Sequence, residues 1–255
     1  MDRDDLMRAL REALEPAAWI HAAWVGGSDA FGRADARSDV DLQVLVEPEH
    51  GDRAFALIEA VIDGLGGAAH VWRVPEPAWH GMRQRFYQLR ALPETAMLDV
   101  CVARLDRLAP WLDPDRHGRP VIWFDRIGAL VPTPDPDLEA GFDRRAEQIV
   151  ARTRLLAHLP AKALARGRLI EAVDGHHRFL LGPLVELLRR RYDPRRQDYA
   201  LRYLPEDLPA PVLARLEPLF LTGDAGSLAR AQAEARAWLE AEIEHLNGLK
   251  RGGDA

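Results

Sequence analysis

The stretch "VGGSDAFGRADARSDVDLQVLV", residues 25–46, decides how the first half of this chain folds. It places glycines, serines and aspartates between two apolar runs. The second run, "VDLQVLV" (40–46), is typical of a buried strand because it is rich in valine and leucine. A carboxylate at the mouth of a buried strand costs free energy unless a cation or hydrogen-bond donors meet it. Asp39 and Asp41 therefore require a specific explanation.

The spacing of Asp39 and Asp41 indicates a shared face, because side chains at i and i+2 of a strand point the same way. Two carboxylates this close repel and raise each other's pKa. A divalent cation removes the repulsion, and Mg²⁺ commonly takes one or two carboxylates together with phosphate oxygens and water. The pair is therefore interpreted as a metal site rather than as a proton-sharing dyad.

The residues upstream of the pair are suited to phosphate. Gly26 and Gly27 let the backbone approach a ligand closely, and successive N–H groups can form an anion-binding concavity. Ser28 and Ser38 add hydroxyl groups to this segment. Gly-Gly-Ser is often only a turn, and Asp-x-Asp is common on exposed strands. Both motifs in this order favour a site for a nucleoside triphosphate and its metal, since phosphoryl transfer depends on charge neutralisation and alignment.

The order of predicted elements indicates an α+β domain followed by a helical one. Helices are predicted at 3–15 and 53–67, and strands at 22–27, 40–46, 70–74, 85–92, 96–103 and 121–124. The segment "VPTPDPD" (131–137) has three prolines and is predicted to be a linker. Beyond it only helices are predicted, at 138–158, 168–191, 210–221 and 226–249. We therefore expect a domain over 1–134 with a mixed sheet flanked by helices, and an all-helical bundle domain over 135–255.

Gly27-Ser28 followed by "DVDL" (39–42) resembles the signature of the nucleotidyltransferase superfamily, which includes DNA polymerase β and the aminoglycoside and lincosamide nucleotidyltransferases. The motif covers residues 24–46, and the two-domain layout extends the resemblance more loosely over the chain. The resemblance implies that Asp39, Asp41 and Asp99 in "MLDVCV" (97–102) are catalytic metal ligands. It implies nucleotide contacts from Gly27 and Ser28, to which Ser38 is added for its hydroxyl. Asp99 taken alone is better explained as the cap of a neighbouring loop or the partner of an arginine, and it is the pair Asp39 and Asp41 that favours the metal role.

The activity that the resemblance implies is transfer of a nucleoside monophosphate, AMP from ATP, to a hydroxyl of a small acceptor. Pyrophosphate is released, one or two Mg²⁺ ions assist with Mn²⁺ able to substitute, and an aminoglycoside-like antibiotic is one such acceptor. The alternatives are the same chemistry on a protein or tRNA acceptor, and a non-catalytic nucleotide-binding regulatory module. The general base stays open among Glu94, Glu171 and Asp174, each of which also suits an ordinary solvated carboxylate.

Composition narrows the classes of protein further. The net charge of −6 over 255 residues argues against a nucleic-acid binder, which usually has a basic face. One cysteine excludes a disulfide within the chain and a thiolate zinc site. No apolar run reaches the roughly 20 residues of a membrane span, and no signal-peptide core is present, so the cytoplasm is predicted. The basic run 187–196 is interpreted as a solvated helix end, with phosphate or RNA binding as the alternative. Trp72 and Trp79 suit packing or the lining of an acceptor pocket.

Overall fold

The computed structural model describes residues 1–76, 78, 80–105, 108, 112–134 and 138–252. The chain divides into two compact units, Met1–Asp135 and Pro136–Ala255. The first contains a mixed sheet with flanking helices, and the described part of the second is helical. The predicted fold class is therefore confirmed. Among the described helices, none combines the length and the apolar character that a membrane span requires.

Within its described residues, the first unit is built on six strands. They are β1 (Ile20–Val25), β2 (Val40–Val46), β3 (Ala68–Arg73), β4 (Arg83–Leu89), β5 (Leu98–Ala103) and β6 (Val121–Asp125). Its helices are α1 (Arg3–Leu14), the one-turn α2 (Gly27–Ala30), α3 (Gly51–Gly64) and the one-turn α4 (Pro114–His117), with a 3₁₀ turn at Pro48–His50.

The strand order across the sheet is β3-β4-β5-β2-β1-β6. The central strands β2 and β5 run parallel, and all other neighbouring pairs are antiparallel. The β2–β5 pairing sets Asp41 directly opposite Asp99. The strand predicted at 22–27 ends at Val25, because Gly27 has a positive φ of 54° and already begins α2.

One face of the sheet carries the main core. The buried residues of β2 alternate, so that Val40, Leu42 and Val44 pack inward beneath α1 and α3. Helix α1 contributes Leu6, Leu10 and Leu14, whose i, i+4 spacing forms its apolar face. The other face has a smaller core toward the far end of the strands. On this face the first residues of β2 and β5 are polar, and the three predicted carboxylates lie there.

The second unit contains seven α-helices within its described residues. They are α5 (Leu138–Leu156), α6 (Leu159–Ala165), α7 (Leu169–His176), α8 (Gly182–Tyr192), α9 (Leu204–Asp207), α10 (Ala210–Phe220) and α11 (Ala225–Gly252). A π-helical segment, His177–Leu181, joins α7 to α8, and a 3₁₀ segment, Pro194–Tyr199, follows α8. The largest contributions to its core come from α8 and from the apolar face of α11.

Two helix predictions in this unit need correction. The helix predicted at 138–158 ends at Leu156, and α6 then begins beside Pro160, which favours the first turn of a new helix. The helix predicted at 168–191 is interrupted by the π-helical segment. Pro183 has no N–H to donate to the preceding turn, which explains why regular α-helical bonding is lost there.

Candidate functional site

The three predicted carboxylates lie at the same end of the two central strands. Asp41 on β2 and Asp99 on β5 are register partners and half-buried. Asp39 precedes β2, and its Oδ1 accepts a hydrogen bond of 2.7 Å from the backbone N–H of Met97, just before β5. The backbone N–H of Val40 in turn donates to the Met97 carbonyl at 2.9 Å. The pairing of β2 with β5 thus brings together residues that are about 60 positions apart in the sequence.

The electrostatics of Asp99 show the cost of this arrangement. Burial raises the pKa of Asp99 to about 7, against the lowering effect of a hydrogen bond from Gln84. The negative charges of Asp41 and Asp39 add to the increase. On the same strand, burial and then the charges of Asp99 and Asp41 raise the pKa of the Cys101 thiol well above its usual value. The cluster therefore favours the arrival of a positive charge.

Gln84 holds Asp99 from the neighbouring strand β4. Its Nε2 donates to both carboxylate oxygens of Asp99, at 2.8 and 2.9 Å. The ring of His80 orients this amide: the backbone N–H of Met82 donates to His80 Nδ1 at 3.1 Å, so a neutral ring carries its proton on Nε2. That Nε2 lies 3.0 Å from Gln84 Oε1 and can donate to it. Sequence reasoning missed Gln84 and His80, because a polar residue on a strand has no recognisable partner until the register is known.

The glycine loop lies directly against Asp41. The N–H of Gly26 donates to the Asp41 carbonyl at 2.9 Å. A Cβ on Gly27 would fall 1.7 Å from Asp41 Oδ2, and its φ of 54° is a conformation that other residues rarely adopt. Gly27 is therefore required for the loop to approach the carboxylate. Ser28 follows it in the first turn of α2, where N–H groups have no acceptor within the helix.

Arg3, which the sequence does not single out, ties this loop to the start of β2. Its guanidinium forms an ion pair with Asp29 of α2 and donates to the Asp39 carbonyl at 3.2 Å. Both side chains of the ion pair are largely buried. An arginine at the first position of an amphipathic helix looks like an ordinary surface charge in the sequence, so no local pattern could have identified it.

The remaining predicted residues have other partners. The Ser38 hydroxyl bonds within its own turn, accepting from the Asp35 N–H at 2.9 Å and donating to the Asp35 carboxylate at 3.1 Å. Glu94 is exposed in the turn between β4 and β5. In the second unit, Glu171 and Asp174 form exposed ion pairs with arginines of their own helix region. The roles predicted for these four residues stay predictions, and Trp79 lies outside the described residues.

The donor chemistry of Asp39, Asp41 and Asp99 fits Mg²⁺ or Mn²⁺. These ions prefer carboxylate oxygens, and a divalent charge would offset the repulsion from Asp41 and Asp39, which adds to the effect of burial on the pKa of Asp99. Within the described residues, no three histidine, cysteine or acidic side chains already stand as a metal-binding group.

The chain has weak similarity to solved structures. No known family profile matches the chain, and no curated protein does. The chain is similar to the crystal structure of an aminoglycoside 6-adenyltransferase from Bacillus subtilis, at 13% identity and a TM-score of 0.34, over 97% of this chain and 92% of that one. It is also similar to a nucleotidyltransferase-like protein from Exiguobacterium sibiricum, at 13% identity and a TM-score of 0.39, over 95% and 74% of the two chains. At this level of similarity the chemistry has to be argued from the residues of the site.

Proposed function

We propose that the first unit is a metal-dependent nucleotidyltransferase that moves AMP from ATP to a hydroxyl of a small acceptor. The observation that supports this proposal best is the pairing of Asp41 with Asp99, with Asp39 beside them and Gly27 packed against Asp41. Like-charged carboxylates at the end of a buried sheet, next to a glycine loop, suit a bound cation and a triphosphate. In this proposal residues 1–134 form the catalytic domain and residues 135–255 the helical domain.

The residues have separate tasks in the reaction. Asp39, Asp41 and Asp99 would hold Mg²⁺, which neutralises phosphate charge and aligns the reacting oxygens when it is bound. Gly27 and Ser28 would hold the two terminal phosphates through backbone N–H groups and the serine hydroxyl. The acceptor oxygen forms a bond to the α-phosphorus, the bond from that phosphorus to the bridging oxygen breaks, and pyrophosphate leaves. The hydroxyl proton passes to a general base, for which Glu94, Glu171 and Asp174 remain the candidates.

The proposal is tested by calorimetric titration of ATP into the protein with Mg²⁺, with Mn²⁺ and with EDTA. We expect measurable affinity with either metal and little with EDTA, because the three carboxylates repel phosphate until a cation intervenes. Asp63→Asn, a change at an exposed carboxylate of α3, serves as the matched control and should bind as the wild type does. Equal ATP affinity with and without metal would contradict the proposal.

Catalysis is tested separately with ATP labelled at the α-phosphate. Acceptor classes are screened for transfer of the label, with pyrophosphate release as the second readout. We expect label in a small hydroxyl compound. Label found in protein or in tRNA would support the same chemistry on a larger acceptor, and binding without any transfer would support a regulatory nucleotide-binding module.

A further inference from the structure

An aromatic pair, with one ring exposed and the other half-buried, lies on the sheet face that carries the carboxylates. The rings of Trp72 on β3 and Phe86 on β4 are stacked, with centroids 5.2 Å apart and planes tilted by 14°. Trp72 nevertheless keeps 60% of its surface exposed. A tryptophan at the edge of a core usually gains by burial, so a stacked pair held open to solvent is typical of a binding surface.

The strand register places this pair in line with the site. Trp72 is the partner of Phe86, Phe86 is the partner of Asp99, and Asp99 is the partner of Asp41. Directly paired residues of neighbouring strands share a face, and their Cα atoms lie about 4.5–5.5 Å apart. Phe86 therefore lies one strand spacing from Asp99, and Trp72 lies two spacings from it. The row from Asp99 to Trp72 spans about 10 Å.

The direction of this row bears on which ligand it meets. The glycine loop reaches Asp41 from the other side, through the Gly26 hydrogen bond and the close approach of Gly27. In an in-line transfer, the attacking oxygen enters opposite the leaving group. If pyrophosphate leaves on the side of the glycine loop, the acceptor hydroxyl arrives from the side of Asp99, where Phe86 is the next residue in the row.

The polar residues around the stack indicate the chemistry of the acceptor. On the same face, His70 and Gln88 are register partners beside Trp72 and Phe86, and Gln84 lies on the other side of Phe86. These side chains offer hydrogen-bonding groups without a carboxylate, lysine or arginine among them. The arginines of these two strands pair elsewhere: Arg73 and Arg85 with Glu59, and Arg83 with Asp52 and Glu76.

We propose that Trp72 and Phe86 form the acceptor subsite and bind the flat face of an uncharged, ring-bearing hydroxyl compound. The ring lies on the aromatic pair through C–H or π contacts, and one hydroxyl points along the row toward Asp99. A sugar ring and an aromatic alcohol share this chemistry. This inference rests on the proposed function, since that function defines which side of the carboxylates the acceptor approaches.

The test uses saturation-transfer NMR with two probe sets, methyl pyranosides and aryl alcohols, in the presence of Mg²⁺ and α,β-methylene-ATP. The proteins are the wild type, Trp72→Leu, Phe86→Leu and Trp72→Phe, with Val71→Ala on the opposite face of β3 as the matched control. We expect a probe from one set to bind the wild type and Val71→Ala. Its Kd should rise at least tenfold in both leucine variants and recover partly in Trp72→Phe. The set that binds identifies the ring as a sugar or an aromatic.

Several results would overturn the subsite. One is that no probe binds the wild type, and another is that a probe binds the wild type and Trp72→Leu equally. A loss of ATP-analogue affinity in Trp72→Leu would place the nucleobase on the stack. A wild-type dimer that Trp72→Leu dissociates would make the stack a subunit interface. Repeating the titrations without nucleotide separates this inference from the proposed function. Ring binding that depends on Trp72 in a protein without metal-dependent ATP affinity would support the aromatic subsite and refute nucleotidyl transfer.

Discussion

The two units bury charge in opposite ways. In the second unit, the side chains of Arg189, Arg196 and Asp207 are almost wholly buried, and Asp207 forms an ion pair with each arginine. Arg189 donates to Asp207 at 2.7 Å and to the Ala200 carbonyl at 2.8 Å, and Arg196 donates to the other oxygen of Asp207 at 2.6 Å. Opposite charges, an arginine on each oxygen of the carboxylate and backbone acceptors make this network a structural feature of the fold.

In the first unit, by contrast, like charges meet. Asp99 faces Asp41 with Asp39 nearby, and its hydrogen-bond donor on β4 is the uncharged amide of Gln84. Burial, with the charges of Asp41 and Asp39 added to it, raises the pKa of Asp99 to about 7. Perturbed carboxylates of this kind concentrate at functional sites, because a fold gains nothing from the repulsion itself. A buried charge with partners of opposite charge is therefore explained by the fold itself, whereas a half-buried cluster of like charges requires another explanation.

The largest expected effect contrasts catalysis with stability. Asp41→Asn keeps the shape of the side chain and removes one charge, so nucleotidyl transfer should fall by at least about 10³-fold, equivalent to several kcal/mol of transition-state stabilisation. In EDTA its melting temperature should equal or exceed that of the wild type, since repulsion with Asp99 is relieved. Turnover and thermal melts measure both. A sharp drop in melting temperature with turnover retained would make Asp41 a structural residue.

The same kind of change in the second unit should act on stability alone. Asp207→Ala leaves Arg189 and Arg196 buried without their carboxylate, which should destabilise the protein by about 3–5 kcal/mol in denaturant unfolding. Asp143→Ala is the matched control, because its partner Arg190 forms an exposed ion pair worth at most about 1 kcal/mol. A loss of similar size in both variants would remove the distinction between the two environments.

Two serines provide a smaller contrast. Ser28→Ala should weaken Mg²⁺-ATP binding by about 1.5–3 kcal/mol, the contribution of one hydrogen bond to a charged group, and leave metal-free stability nearly unchanged. Ser227 accepts from the Asp224 N–H at 3.0 Å and so caps the start of α11. Ser227→Ala should therefore cost about 0.5–1.5 kcal/mol of stability and leave calorimetric ATP affinity unaltered. A loss of ATP affinity in Ser227→Ala, with ATP affinity retained in Ser28→Ala, would show that the nucleotide does not bind at Ser28.

The smallest effect is in the pH dependence of the metal-free protein. The folded-state pKa of Asp99 is raised by burial, so its contribution to stability is present at low pH and lost as pH rises toward about 7. Burial lowers the pKa of His176, whose Nε2 lies 2.9 Å from the Leu219 carbonyl, so its contribution is lost as pH falls below about 6.5. The melting temperature of Asp99→Asn should therefore rise by a few degrees relative to the wild type as pH increases. That of His176→Gln should rise relative to the wild type as pH decreases, so the two variants have opposite pH trends. Parallel trends in thermal melts from pH 4 to 8 would contradict these assignments.

Sequence patterns alone predicted the six strands of the first unit and located the polar residues at the beginning of β2. The alternation in "VDLQVLV" identifies β2, and Asp39 and Asp41 stand out because carboxylates rarely precede a buried strand without a reason. Asp99 followed from its place inside an apolar strand and from the family resemblance. These signals are local: periodicity and the cost of burying charge act within a few residues.

The contacts of these carboxylates, by contrast, depend on how the strands pair. The parallel pairing of β2 with β5 sets Asp41 opposite Asp99, and the antiparallel pairings that follow add Gln84, Phe86 and Trp72 to the same face. A shift of one residue in any of these registers would turn the side chains to the opposite face, and no local pattern encodes the shift. Long-range packing, which selects the register that buries the apolar face, is therefore what brings these side chains together in one row.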